Sequence, residues 1–159
     1  MSNPLKLSVP QDAPFIDFER EFDFPVEAVF EAHRDPEAIA QWLGPRGMTA
    51  TVDHYDFRTG GSYRYIHTGP DGISYGFSGV FHTVRENDFA IQTFEFDGYP
   101  DVVSLEFLQF EDLGDGRCKL VGHAVYPTQE ARDGMAQSGM EGGMTESYER
   151  LEELLGSHR

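Results

Sequence analysis

The 159-residue chain has one cysteine, Cys118, one tryptophan, Trp42, and two lysines, Lys6 and Lys119. A lone thiol forms no internal disulfide and builds no thiolate zinc site, which fits a reducing cytoplasm. The 12 basic residues face 28 acidic ones, a formal charge of −16, and this field repels phosphate backbones and anionic headgroups. With so few lysines and no basic run, nucleic-acid binding is not expected. Long apolar runs are missing too. The segment Met1 to Pro14 carries Pro4, Pro10 and Pro14, and reads as neither a signal peptide nor a membrane anchor. No membrane insertion is expected, residues 1–14 are expected to form a flexible tail, and residues 15–156 a single domain.

Catalytic and metal signatures are equally sparse. His33, His54, His67, His82, His123 and His158 form no H-x-x-x-H pair and sit in no carboxylate-bearing ligand motif, so no metal is assigned. His67 and His123 alternate with aromatics on expected strands, and each is read as a structural histidine. There is no G-x-S-x-G elbow, and Cys118 lies between Arg117 and Lys119 on a strand. Neither Gly60-Gly61 nor the glycines near Gly142 form a phosphate-binding loop, and no cofactor is assigned. Acidic residues are so common that spacing alone selects none of them; Glu130, Arg132 and Asp133 read as an exposed helix surface.

What is present is a clear order of elements. Phe15 to Phe22 places Ile16, Phe18 and Phe22 at period two, as a half-buried strand requires. Pro25 opens a short helix carrying Val26, Val29, Phe30 and His33. Asp35 and Pro36 then mark the N-cap and first turn of a second helix, with Ile39, Trp42 and Leu43 on one side and a stop at Gly44-Pro45. From Gly47 to Tyr126 five turn signals separate six strands, which short connections make an antiparallel meander. After Pro127 one long helix is expected from about Thr128 to Leu155, with Met140, Met144, Tyr148, Leu151 and Leu155 on one stripe. Its glycines, Gly134, Gly139, Gly142 and Gly143, imply a kink, close packing, or space left for a ligand. The sum is an α+β fold: a curved, seven-stranded antiparallel sheet around a long C-terminal helix, with two short helices after the first strand.

The strand faces are rich in rings: Tyr63, Tyr65 and His67 on one, Tyr75, Phe77 and Phe81 on the next, then Phe94 and Phe96. Such faces build either an ordinary core or a mostly apolar pocket with a few polar tips. Met135, Met140 and Met144 are expected over the same region.

These residues carry a resemblance. Phe24-Pro25-Val26 through Trp42-Leu43-Gly44-Pro45, and Asp56-Phe57-Arg58-Thr59-Gly60-Gly61-Ser62-Tyr63-Arg64-Tyr65, resemble the SRPBCC superfamily, the START-like or helix-grip fold shared with birch-pollen allergen proteins and polyketide cyclases. Within it they resemble the subfamily named for the activator of heat-shock-protein-90 ATPase, as do Thr93 to Gly98 and the segment from Arg132 to Tyr148. The resemblance implies a hydrophobic cavity between the sheet and the last helix, and no cofactor.

Three functions follow as expectations. The first is a small-molecule binding protein for an apolar or aromatic, lipid- or polyketide-like ligand, lined by Trp42, Tyr63, Tyr65, His67, Phe77, Phe94, Met140, Met144 and Tyr148. The second is a cyclase or dehydratase in the same cavity, with His67 or His123 and a tyrosine hydroxyl moving protons. The third is a co-chaperone or other interaction domain, although the 14 residues before the first strand cannot supply the additional N-terminal domain of the namesake activators. A strand edge or helix face leaves room for a homodimer.

Overall fold

The computed structural model describes residues 3–157; Met1, Ser2, His158 and Arg159 lie outside the described residues. Twelve elements follow in order: β1 Leu5–Ser8, β2 Phe15–Phe22, α1 Val26–Arg34, α2 Pro36–Trp42, β3 Thr49–Tyr55, β4 Ser62–Thr68, β5 Ser74–Arg85, β6 Phe89–Phe96, β7 Val103–Gly114, β8 Arg117–Val125, α3 Gln129–Ala136 and α4 Met140–Gly156. All eight strands join one antiparallel sheet in the order β1-β2-β8-β7-β6-β5-β4-β3. The meander from β3 to β8 is as expected. β2 reaches β8 only after α1 and α2 have crossed over, pairing Phe22 with Cys118 and Phe15 with Val125.

Two expectations need correction. The expected tail contains a strand, because Leu5 and Leu7 alternate with Lys6 and Ser8 and pair with Arg20 and Phe18 of β2. The sheet therefore has eight strands instead of seven. The single long helix is two helices, broken where Gly139 takes φ +87°, a left-handed conformation that continues no α-helix. Thr128 caps α3 by accepting from Ala131 N at 3.0 Å, while α4 starts without a side-chain cap. Close packing does not explain the other helix glycines: a methyl added at Gly134, Gly142 or Gly143 would meet open space.

Asp35 caps α2 as expected, accepting from Glu37 N at 2.9 Å with Pro36 behind it. That short helix delivers Trp42 into the core, where its indole N–H donates to Ala32 O at 2.9 Å. The core lies at one end of the concave face, where Phe22, Val29, Phe30, Phe81, Ala90, Phe110, Leu120 and Leu151 are buried beneath α1 and α4. Rings cross there at close range, Phe30 against Phe110 at 5.1 Å and Phe57 against Phe81 at 4.9 Å.

α4 is held to the sheet by a buried ion pair: Arg20 of β2 donates to Glu152 at 2.8 Å and to Glu21 O at 2.7 Å, and its guanidinium lies 4.5 Å over the Phe22 ring. The reading of Arg132 as exposed helix surface is overturned, since only 3% of it is exposed. Its guanidinium donates to Phe15 O at 3.0 Å, to Pro10 O, and to Asp133, tying α3 to the β1–β2 connection.

Candidate functional site

Strand alternation divides the concave face in two. Along β7 the inward positions are Ser104, Glu106, Leu108 and Phe110, and along β6 they are Ala90, Gln92, Phe94 and Phe96. Ala90 and Phe110 belong to the sealed core, whereas Gln92, Phe94 and Glu106 are only half-buried. The helices thus leave the concave surface over the middle strands partly uncovered, a shallow recess lined by these half-buried side chains.

A ladder of rings forms one wall of this recess. Tyr65 stacks on Phe77 at 5.3 Å, and Phe77 stacks on Phe94 at 5.5 Å and on Phe96 at 5.3 Å. Tyr65 is buried, and Phe77, Phe94 and Phe96 stay half-open to the recess. Its rim carries Ile73, Tyr75 and Tyr99, all exposed. His67 closes one end. Its ring packs against Tyr65 at 5.0 Å and against the Gly44 backbone, where an added Cβ would approach the imidazole to 2.7 Å. The imidazole Nε2 is sealed from solvent and has no hydrogen-bond partner among the described residues. Burial, and secondarily Arg150, lowers its pKa.

Glu106 is the polar centre. Its one hydrogen bond among the described residues is long, from Gln92 Nε2 at 3.4 Å, and the same amide lies 3.5 Å from the Tyr63 hydroxyl. Desolvation pushes the Glu106 carboxyl up to about 7. Four tyrosines surround it closely enough to feel its charge: Tyr63 and Tyr65 from β4, Tyr126 after β8, and Tyr148 from α4. Each phenol is raised first by burial and then by Glu106 among neighbouring charges. Tyr63 donates to Thr93 O at 2.7 Å. The hydroxyls of Tyr65, Tyr126 and Tyr148 bond to no described residue, and they are not among the polar atoms sealed from solvent.

Of the expected lining residues, the structure brings Tyr63, Tyr65, His67, Phe77, Phe94 and Tyr148 to this one concave surface. Met140 and Met144 are half-buried at the start of α4, Met144 packing against the core. Trp42 sits deeper, stacked on Tyr148 at 5.9 Å with its N–H already bonded. His123 does not face the recess. It lies on the convex face with Nδ1 2.5 Å from Asp17, so it neither meets His67 nor reaches a ligand there. Glu106, Gln92 and Tyr126 were missed. Their signal was a carboxylate and an amide in the apolar phase of two strands. A shallow groove of about 340 Å³ also crosses the convex face beside Arg64, Val80 and Glu95, where Arg64 is engaged by Asp97 at 2.7 Å.

Among the described residues no group of histidine, cysteine and carboxylate side chains is placed to hold a metal ion, and no helix is long and apolar enough to cross a membrane. Curated proteins offer no match to the chain. Solved structures do. A protein from Rhodobacter sphaeroides is 28% identical with a TM-score of 0.87, covering 96% of this chain and 98% of its own. One from Arthrobacter aurescens is 26% identical with a TM-score of 0.86, covering 96% and 91%. Protein Ms6760 from Mycobacterium smegmatis is 25% identical with a TM-score of 0.85, covering 96% and 97%. The profile of the family described as Activator of Hsp90 ATPase homolog 1-like protein matches residues 23–156, which hold strands β3 to β8 and all four helices. The chain belongs to that family, within the SRPBCC superfamily and its helix-grip fold.

Proposed function

We propose that this protein binds a hydrophobic small molecule, apolar or aromatic, in the recess between the sheet and its C-terminal helices. The observation that carries this reading is the ring ladder. Phe77, Phe94 and Phe96 face inward yet are left half-open, beside the buried phenols of Tyr65 and Tyr148, whose hydroxyls have no partner among the described residues. Apolar surface of this kind is unfavourable in water by about 25 cal/mol per Å², and a flat or elongated apolar ligand removes it. The test is native mass spectrometry of gently purified protein before and after incubation with a metabolite extract. A discrete added mass, lost in Phe77→Ala while that variant stays folded, is the expected result. Unchanged affinity in a folded Phe77→Ala would sink the site, and no added mass from any extract would sink the function.

One observation favours turnover in the same recess. A carboxyl held at about 7 exchanges protons readily near neutrality, so Glu106, and not His123, is the group placed for acid–base work on a bound carbonyl compound. A ligand recovered with altered mass, and loss of that alteration in Glu106→Gln, distinguishes an enzyme from a binder.

A further inference from the structure

Among the described residues Glu106 has no cationic partner. Arginines elsewhere are engaged: Arg46 with Glu153, Arg64 with Asp97, Arg117 with Glu21 and Asp23. The arginines nearest the recess are occupied as well. Arg20 acts on Tyr148 but is bonded to Glu152, Arg132 acts on Tyr126 but holds Asp133 and two carbonyls, and Arg150 acts on His67 but donates to Gly44 O at 3.0 Å and to Gln41 O at 2.5 Å. None of them stabilises the Glu106 charge, whose only resolved perturbation is desolvation.

Within electrostatic reach of the carboxyl stand four phenols, Tyr63 and Tyr65 from β4, Tyr126 just after β8 and Tyr148 from α4, and Gln92 from β6 donates to it at 3.4 Å. A carboxylate that lacks a counter-charge, set among electron-rich rings, is the complement of a cation with an apolar body. The negative field of the whole molecule, at −16, adds attraction for the same sign.

We propose that the recess selects a cationic organic ligand, an ammonium or similar nitrogen cation on an aromatic or alkyl body, with Glu106 as its counter-ion. This rests on the binding reading above and names the ligand class. The positive nitrogen sits at Glu106 between Tyr65, Tyr126 and Tyr148, and the apolar body lies along Phe77 and Phe94. A carboxylate ligand is rejected by the same group.

Two probes of equal shape and different charge test it: benzyltrimethylammonium, whose charge does not titrate, and neopentylbenzene, its neutral carbon isostere. Binding is followed by calorimetry and by the fluorescence of Trp42, which stacks on Tyr148. The cation is expected to bind more tightly than the isostere. Its affinity is expected to rise about tenfold between about pH 6 and about pH 8, as the binding-competent ionised fraction of Glu106 grows. The tyrosines stay protonated across that range, and the part of the slope that Glu106→Gln removes reports Glu106. Glu106→Gln is expected to lose the cation preference and the pH slope while still binding neopentylbenzene, which shows that the variant is folded. Equal affinity for both probes, cation affinity that falls with rising pH, or an unchanged cation preference in Glu106→Gln overturns the cation inference and leaves the hydrophobic recess standing. If neither probe binds the native protein, the binding reading falls with it.

Discussion

Glu106 and His33 titrate in opposite senses. Burial raises the Glu106 carboxyl from 4.5 to about 7, so its contribution to stability is complete below 4.5 and is lost as pH rises through about 7. Burial lowers His33 from 6.5 to about 4, outweighing its bond to Val29 O at 2.8 Å. Its contribution is complete above 6.5 and is lost as pH falls through about 4. Between these limits the two slopes oppose each other. Glu106→Gln removes one of them, so the variant is expected to lose stability on acidification from about pH 6.5 to about pH 4.5 more steeply than the wild type. At about pH 8 it is expected to exceed the wild type by about 1–3 kcal/mol, discounted for the water that still reaches the carboxyl. Urea midpoints at about pH 5 and about pH 8 measure both effects, and superimposable profiles would refute the assignment of Glu106. Cys118 gives a simpler expectation. It is fully buried and desolvation pushes its thiol up to about 12, so an aromatic disulfide reagent should label it only at the rate of unfolding. Rapid labelling of the native protein would contradict that burial.

Among the elements, the pair α3 and α4 invites the sharpest tests. Gly142 lies in α4 with ordinary helical backbone and open space where a Cβ would be, whereas Gly139 takes φ +87° at the break. Gly142→Ala is therefore expected to stabilise by about 0.5–1 kcal/mol and Gly139→Ala to destabilise by about 1–2 kcal/mol. Thermal denaturation distinguishes the two signs, and stabilisation by both would mean that the helix runs through. Arg132→Met should cost about 2–3 kcal/mol, because Pro10 O and Phe15 O lose their buried donor, and hydrogen exchange in β1 should quicken. The same elements show what a sequence reveals. Turn chemistry delimited β3 to β8 because each turn has its own glycine, asparagine or aspartate, and period two put Tyr63, Tyr65 and His67 on one face. β1 was missed because four residues with two leucines make too short an alternation to stand out beside three prolines. The α3–α4 break was legible only as one of three readings of the glycines, because the stripe of Met140, Met144 and Tyr148 belongs to α4 and hides a change of axis just ahead of it. Glu106 was illegible for a different reason. In a chain with 28 acidic residues, one more glutamate stands out only through its strand phase, and that phase acquires meaning only once Leu108 and Phe110 are known to face the core.

For the whole molecule, charge is the dominant property. A formal −16 on 159 residues sets most carboxylates against one another, and the basic residues are nearly all engaged locally. Salt screens the repulsion between distant carboxylates more than it weakens the short ion pairs. The melting temperature is therefore expected to rise when sodium chloride is increased from about 0.05 M to about 1 M, with a shift of several degrees. A fall over that range would mean that the ion pairs outweigh the repulsion. The concave face divides labour at this scale: one end is sealed by α1, α2 and α4 and holds the molecule together, and the other is left open over the ring ladder. Substitutions at Phe30 or Phe110 should thus act on stability, by about 3–5 kcal/mol for alanine, while those at Phe94 act on ligand affinity.

The guanidinium of Arg132 gives the start of the chain a role in seating the helices. Because it grips the carbonyls of Pro10 and Phe15, the segment that joins the first two strands is the seat on which α3 rests. A purification tag or truncation at the N-terminus is consequently no neutral handle in this protein. It loads the same anchor that fastens α3 to the sheet, and stability measured on a tagged chain will report the tag as well as the fold.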